Sequence, residues 1–256
     1  ESLSGVSGSV KVSTGNSKLS SGSIILSTGS AIGAKAGDIR VKAGTSKSMD
    51  GASVEILAGK SFLSTGGMVR VSSGLSHFGI GGHLTFTSGS SENYGSGEIR
   101  ISSGESREKS GPIHIATGNS LKSAGAILVH GGDSASERGA SVHIEAGSSY
   151  SMTGGGVQLL SGSGSTSGNI FIHSRESEGA SGEINMKTGS SRNSVSGDLR
   201  FLTGATASGA TGDIFIGAGK TSNAKGGNIQ IEGGDASLGT GGSISVKSGK
   251  SEISGS

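Results

Sequence analysis

Five polar side chains each stand directly before an aliphatic residue late in the chain: Asn169, Glu183, Asp198, Asp213 and Asn228, at intervals of 14 or 15 residues. Carboxylate and amide oxygens are the donors that a hard cation such as Ca²⁺ takes. If the intervening chain brings these positions level, Glu183, Asp198 and Asp213 form a row of three carboxylates, a weak candidate for a cation ladder. Like charges in a row repel unless a cation or a neighbour such as Arg200 counters them. The nonapeptide calcium-binding signature is missing, and the period is wrong for it. Asn and Asp also favour turns that lead into strands. The structural reading therefore outweighs the metal one, and no metal site is assigned.

Other chemistry is weaker still. Six histidines are scattered at 77, 83, 114, 130, 143 and 173, and no pair has the spacing of metal ligands or of a catalytic pair. They read as surface residues. Asp38 with Arg40, Glu98 with Arg100, and Asp198 with Arg200 are two residues apart, hence on one side of an extended chain. Solvated surface pairs are the expectation, each contributing at most about 1 kcal/mol. Serine is abundant, but no strand-to-helix nucleophile elbow is expected in a chain without helices. The chain is expected to be no enzyme and to need no cofactor.

What would position these groups is a repeat. The first aliphatic of each unit is Val10, Ile24, Ile39, Val54, Val69, Leu84, Ile99, Ile113, Ile127, Val142, Val157, Ile170, Ile184, Leu199, Ile214, Ile229 or Ile244, with spacings of 13, 14 or 15. Two positions later a second apolar column runs unbroken from Val12 to Val246. A spacing of two is the strand period, with both side chains on one face. A small residue follows, such as Ala58, Ser73 or Ser88, and then a corner glycine, as at Gly44, Gly59, Gly74, Gly89 and Gly104. Glycine at a fixed corner implies positive φ or close approach of neighbouring backbones. Only Arg175 departs from the rule. A serine two positions after the corner, as at Ser46 and Ser61, suggests a second tight inward contact. A variable return segment then closes on another glycine two residues before the next aliphatic, replaced by alanine at Ala52 and Ala140.

One such unit buries too little by itself to offset the chain entropy it loses. Stacking of units would supply the rest. The expected fold is all-β: a single-chain β-solenoid (β-helix) of 17 coils of 13–15 residues, with parallel in-register sheets. Residues 1–256 are expected to form one solenoid domain, a rod roughly 80 Å long at about 4.8 Å per coil. The missing initial Met and the end of the chain in mid-pattern predict a segment of a longer repeat protein.

Composition narrows the role. Gly supplies 51 residues, Cys and Trp none, Pro one, and the net charge is +2. That balance offers no electrostatic footprint for nucleic acid, and no apolar run is long enough for a membrane helix, so no membrane insertion is expected. Cysteine chemistry is excluded. The column between the two aliphatics reads Lys11, Ile25, Arg40, Glu55, Arg70, Thr85, Arg100, His114, Leu128, His143, Gln158, Phe171, Asn185, Arg200, Phe215, Gln230 and Ser245. It is too mixed for the flat Thr ranks of an ice-binding face. Its apolar members, Ile25, Leu128, Phe171 and Phe215, are candidates for lateral contact with a second copy. Phe62, Leu63, Phe78, Tyr94, Leu121, Tyr150, Met152 and Leu238 lie in return segments, and the sequence leaves open whether they fold inward.

The recurring G-x-Φ-x-Φ-x-x-G-x-S pattern resembles the Gly/Ser-rich tandem repeats of surface and cell-wall proteins in diatoms and related microbes. The likeness is one of repeat style and carries no site residues. It implies an extracellular or cell-surface location and a fibrous or adhesive role. The expected function is a structural protein forming rods or filaments by end-to-end and lateral self-association, with a polysaccharide or mineral surface as the other partner considered. The alternative is a fibre shaft or adhesin; an ice-binding solenoid stands third.

Overall fold

The computed structural model describes residues 7–47 and 49–250 of the 256-residue chain. It divides into two units, Glu1–Leu128 and Val129–Ser256. Each unit alternates the same two parts, an extended segment carrying the aliphatic pair and a short loop, and seven of the described loops close on their own corner.

The loop from Gly59 to Gly67 illustrates the design. The Gly67 N–H donates to the Gly59 carbonyl at 2.9 Å, tying the start of the return segment to its end. In the first unit Gly82 repeats this with Gly74 (2.9 Å) and Gly97 with Gly89 (3.0 Å). The second unit has Ala140 with Gly132 (3.0 Å), Gly155 with Gly147 (2.9 Å), Gly168 with Gly162 (3.0 Å) and Gly242 with Gly234 (2.8 Å). Donor and acceptor are thus the two glycines that bound each return segment in the sequence, with alanine at position 140. The segmentation read from the repeat is the segmentation of the fold.

Closure has a steric condition. The small residue before the corner faces the closing glycine across the loop's neck. A Cβ built on Gly67 would lie 3.3 Å from the Ala58 Cβ, and one on Gly82 would lie 3.2 Å from the Ser73 Cβ. Where the pre-corner residue is threonine, its γ-methyl is what the closing glycine meets: Thr28 at 3.5 Å from such a Cβ on Gly37, Thr203 at 3.7 Å from one on Gly212. Every neck bond named above has Ala, Ser or Gly at the pre-corner position, and none has Thr. The γ-branch holds the neck apart. A small residue does not suffice by itself, since Gly227 approaches Ala218 without the bond.

The solenoid expectation is overturned. Among the described residues there is no helix and no strand, so no sheet and no ladder of coils forms within the chain. No side chain among them is buried. Ile99, expected at the heart of the solenoid, is 53% exposed and Ile113 is 50% exposed. The physical reason lies in the backbone. Seven return segments bond only across their own necks, the others, Gly104–Gly111 between Ile99 and Ile113 among them, make no such bond, and no backbone bond pairs one aliphatic segment with the next among the described residues.

The reason given for the corner glycines also changes. Among the described residues Gly209 alone has positive φ, at 121°. A Cβ on Gly44, Gly59, Gly74, Gly89 or Gly104 would meet nothing within 4 Å. Neither backbone handedness nor crowding within the chain requires glycine there. The tightest places are instead the necks: the half-buried residues among those described are Ala43, Ser88, Gly131 and Ala146, each directly before a corner glycine.

Candidate self-association surface

Most loops are set by a serine. The hydroxyl two positions after the corner accepts a backbone N–H two or three residues further on: Ser61 from Ser64 at 3.0 Å, Ser76 from Gly79 at 2.9 Å, Ser91 from Tyr94 at 3.0 Å, Ser149 from Met152 at 3.0 Å. Ser17, Ser46, Ser106, Ser120, Ser134 and Ser191 make the same contact. This is the local side-chain-to-backbone turn that serine favours. The second inward contact expected of these serines is therefore a staple within the exposed loop. Ser177 keeps the staple, to Gly179 at 3.3 Å, although Arg175 occupies the corner before it. The irregular stretch around 157–184 keeps the neck as well, over the shorter loop Gly162–Gly168.

With its loops held, the chain presents its apolar residues outward. From Ile24 to Ile244 the first aliphatic of each unit is 48–59% exposed, a narrow band that marks one local geometry repeated. The second aliphatic is more open, 72% at Ile101. Phe62, Leu63, Phe78, Leu121, Tyr150 and Leu238 stand fully exposed at the loop tips and do not thicken a core. Ile25, Leu128, Phe171 and Phe215, singled out as lateral contacts, are all largely exposed. Phe215 borders an apolar recess of about 360 Å³ that it lines with Phe201, Ile214 and Ile216.

On six segments polar residues pair at spacing two, which places both on one side of an extended chain. All three expected acid–arginine pairs form: Arg40 with Asp38 at 3.2 Å, Arg100 with Glu98 at 3.0 Å, Arg200 with Asp198 at 2.7 Å. His143 meets Glu145 at 3.1 Å, Asn185 donates to Glu183 at 3.1 Å, and Gln230 donates to Glu232. Lys35 adds a second cation at Asp38, 2.8 Å away. Lys35 first and Arg40 second hold the Asp38 carboxyl below the usual carboxylate range.

These pairs engage two members of the supposed cation ladder, Glu183 and Asp198. The structure does not bring Glu183, Asp198 and Asp213 together. Among the described residues no three His, Cys, Asp or Glu side chains stand close enough to share a metal ion. No helix of the described residues is long and apolar enough to cross a membrane.

No protein-family model, no curated protein and no solved structure is similar to this chain. Its chemistry must be read from its own residues. They offer a repeated, uncovered apolar pair, flanked on several segments by an internal ion pair. Sequence reasoning missed the pairing of the small residue with the closing glycine. The signal was present as a recurring spacing of nine, as in 58 to 67, 73 to 82, 88 to 97 and 146 to 155.

Proposed function

We propose that this chain is a structural repeat protein that acts by self-association, forming filaments outside the cell or at its surface as an adhesive or mineral-associated matrix. The observation that carries this reading is the aliphatic pair left uncovered in unit after unit. The chain exposes 27184 Å² of surface at a mass of 24.8 kDa, whereas a folded monomer of that mass exposes on the order of 10,000 Å². The difference is many times the roughly 1,200–2,000 Å² that a specific interface buries. Uncovered apolar surface on this scale drives association.

Charge does not oppose it. The net charge is +2 over 256 residues, so copies repel one another little. The extracellular setting rests on the likeness in repeat style to Gly/Ser-rich surface proteins. Sedimentation velocity of the full chain over a range of concentrations, with electron microscopy of the same samples, tests the reading. Fast-sedimenting fibres that grow with concentration are expected. A species that stays monomeric at every concentration would overturn it.

A further inference from the structure

The exposed columns also specify how one copy meets the next. We propose that a second copy of this chain covers the aliphatic pairs in parallel and in register, so that each unit lies against its own equivalent. This rests on the self-association reading and adds the partner's direction and alignment to it.

Three observations carry the alignment. The first is the uncovered surface itself, far above what a stable interface needs, together with extended segments whose backbone groups make no ladder within the chain. Such segments are templates for pairing with another chain. The second is the series of unit lengths. Successive first aliphatics are separated by 14, 15, 15, 15, 15, 15, 14, 14, 15, 15, 13, 14, 15, 15, 15 and 15 residues. Over the full chain only an identical copy, running parallel and unshifted, matches that series at every step.

The third is the column between the aliphatics. Its four apolar members are each flanked by polar residues in the neighbouring units. Shifted by one unit, Ile25 would meet Lys11 or Arg40, and Leu128 would meet His114 or His143. Phe171 would meet Gln158 or Asn185, and Phe215 would meet Arg200 or Gln230. In register, each meets its own kind, while Gln158, Asn185 and Gln230 form the amide ladders that favour such stacks. Of the column's six charged members Arg40, Arg100 and Arg200 already carry an acid, which lessens the repulsion of like on like at those three positions, while Lys11, Glu55 and Arg70 would meet their own charge at an exposed site. Glu55, between Arg40 and Arg70 in the column, is the residue that a one-unit shift would favour. An exposed ion pair gains little against water, so it does not outweigh the four apolar positions.

Glycine at the corners fits this arrangement. The lone chain places nothing against Gly44, Gly59, Gly74, Gly89 or Gly104, so the demand for glycine there arises when copies pack.

The single proline permits a direct test. Full-length chain carrying ¹³C at the proline carbonyl is labelled at Pro112 alone. Dipolar recoupling in solid-state NMR of the fibres then reads the distance between copies. In-register parallel stacking places these carbons about 4.8 Å apart. Fibres in which they lie beyond about 7 Å, the reach of diagonal neighbours, overturn the register and leave self-association standing. Absence of fibres at any concentration overturns both. In a second measurement, fibres of the Phe171→Gln, Phe215→Gln double variant should lose order, giving broadened Pro112 resonances. Unchanged resonances would contradict the role given to the like-on-like column.

Discussion

Gly59 and Gly67 are tied to each other: the Gly67 N–H donates to the Gly59 carbonyl at 2.9 Å, closing the return segment between them into a loop. The two glycines nonetheless differ in kind. A Cβ on Gly59 meets nothing within 4 Å, whereas one on Gly67 would lie 3.1 Å from the Gly59 nitrogen and 3.3 Å from its oxygen. The expected outcome is that Gly67→Ala loosens the neck while Gly59→Ala leaves it closed. Amide exchange at position 67 reads this: about a fivefold acceleration in the first variant, corresponding to the roughly 1 kcal/mol of one hydrogen bond, and none in the second. Equal behaviour of the two variants would remove the distinction between corner and closing glycine.

Threonine at the neck gives a converse test. Ser88→Thr adds a γ-methyl where the Gly97–Gly89 bond of 3.0 Å now forms, and it should open that loop. Thr203→Ser removes the γ-methyl that faces Gly212, which favours closure onto Gly204. The temperature coefficients of the amides at 97 and 212 should move in opposite directions.

The serine staples are local, so their loss should be local. Ser91→Ala removes the acceptor of the Tyr94 N–H, 3.0 Å away. Exchange of the Tyr94 amide should rise about fivefold, as for one hydrogen bond, with no change at Ser64, whose staple comes from Ser61. A change spreading to neighbouring loops would show that the loops are coupled after all.

Asp38 supplies a pH test with a definite sign. Its carboxyl is held below the usual carboxylate range by Lys35 and then Arg40. A carboxyl depressed in the structured state contributes stability that is fully present above its ordinary value and is lost as pH falls through the lowered one. The local arrangement around residues 35–40 should therefore persist at neutral pH and loosen as pH falls below the ordinary carboxylate range. In a Lys35→Met, Arg40→Met double variant the Asp38 carboxyl should titrate in the ordinary range, as followed by its side-chain carbon resonance. Titration there in the unaltered chain would contradict the pairing.

Much of this architecture was legible in the sequence because it is local. The spacing of two between Glu98 and Arg100 fixes a shared side of an extended segment, and the structure forms that pair. The bounding glycines marked the loops, and Gly59 and Gly67 are the atoms that close one. What the columns of aliphatics could not settle is whether Ile113 comes to rest on Ile99. That depends on the path of the return segment, and the one between them, Gly104–Gly111, carries the Ser106 staple without a neck bond. The periodic pattern was read as coils of one chain covering one another, and the structure leaves those pairs uncovered. The candidate surface was legible in the same measure. Phe171 and Phe215 stood out as apolar residues in a polar column, while the idle Glu183–Asp198–Asp213 row depended on a stacking that the chain does not make.

Hydrogen–deuterium exchange at Ile99 and Ile101, followed as the full chain is concentrated, tests most directly whether the aliphatic pairs are covered by other copies. The account predicts open, rapidly exchanging amides in dilute monomer and strong protection in the sedimenting assembly. Protection of both amides in a dilute, strictly monomeric sample, unchanged by concentration, would contradict it.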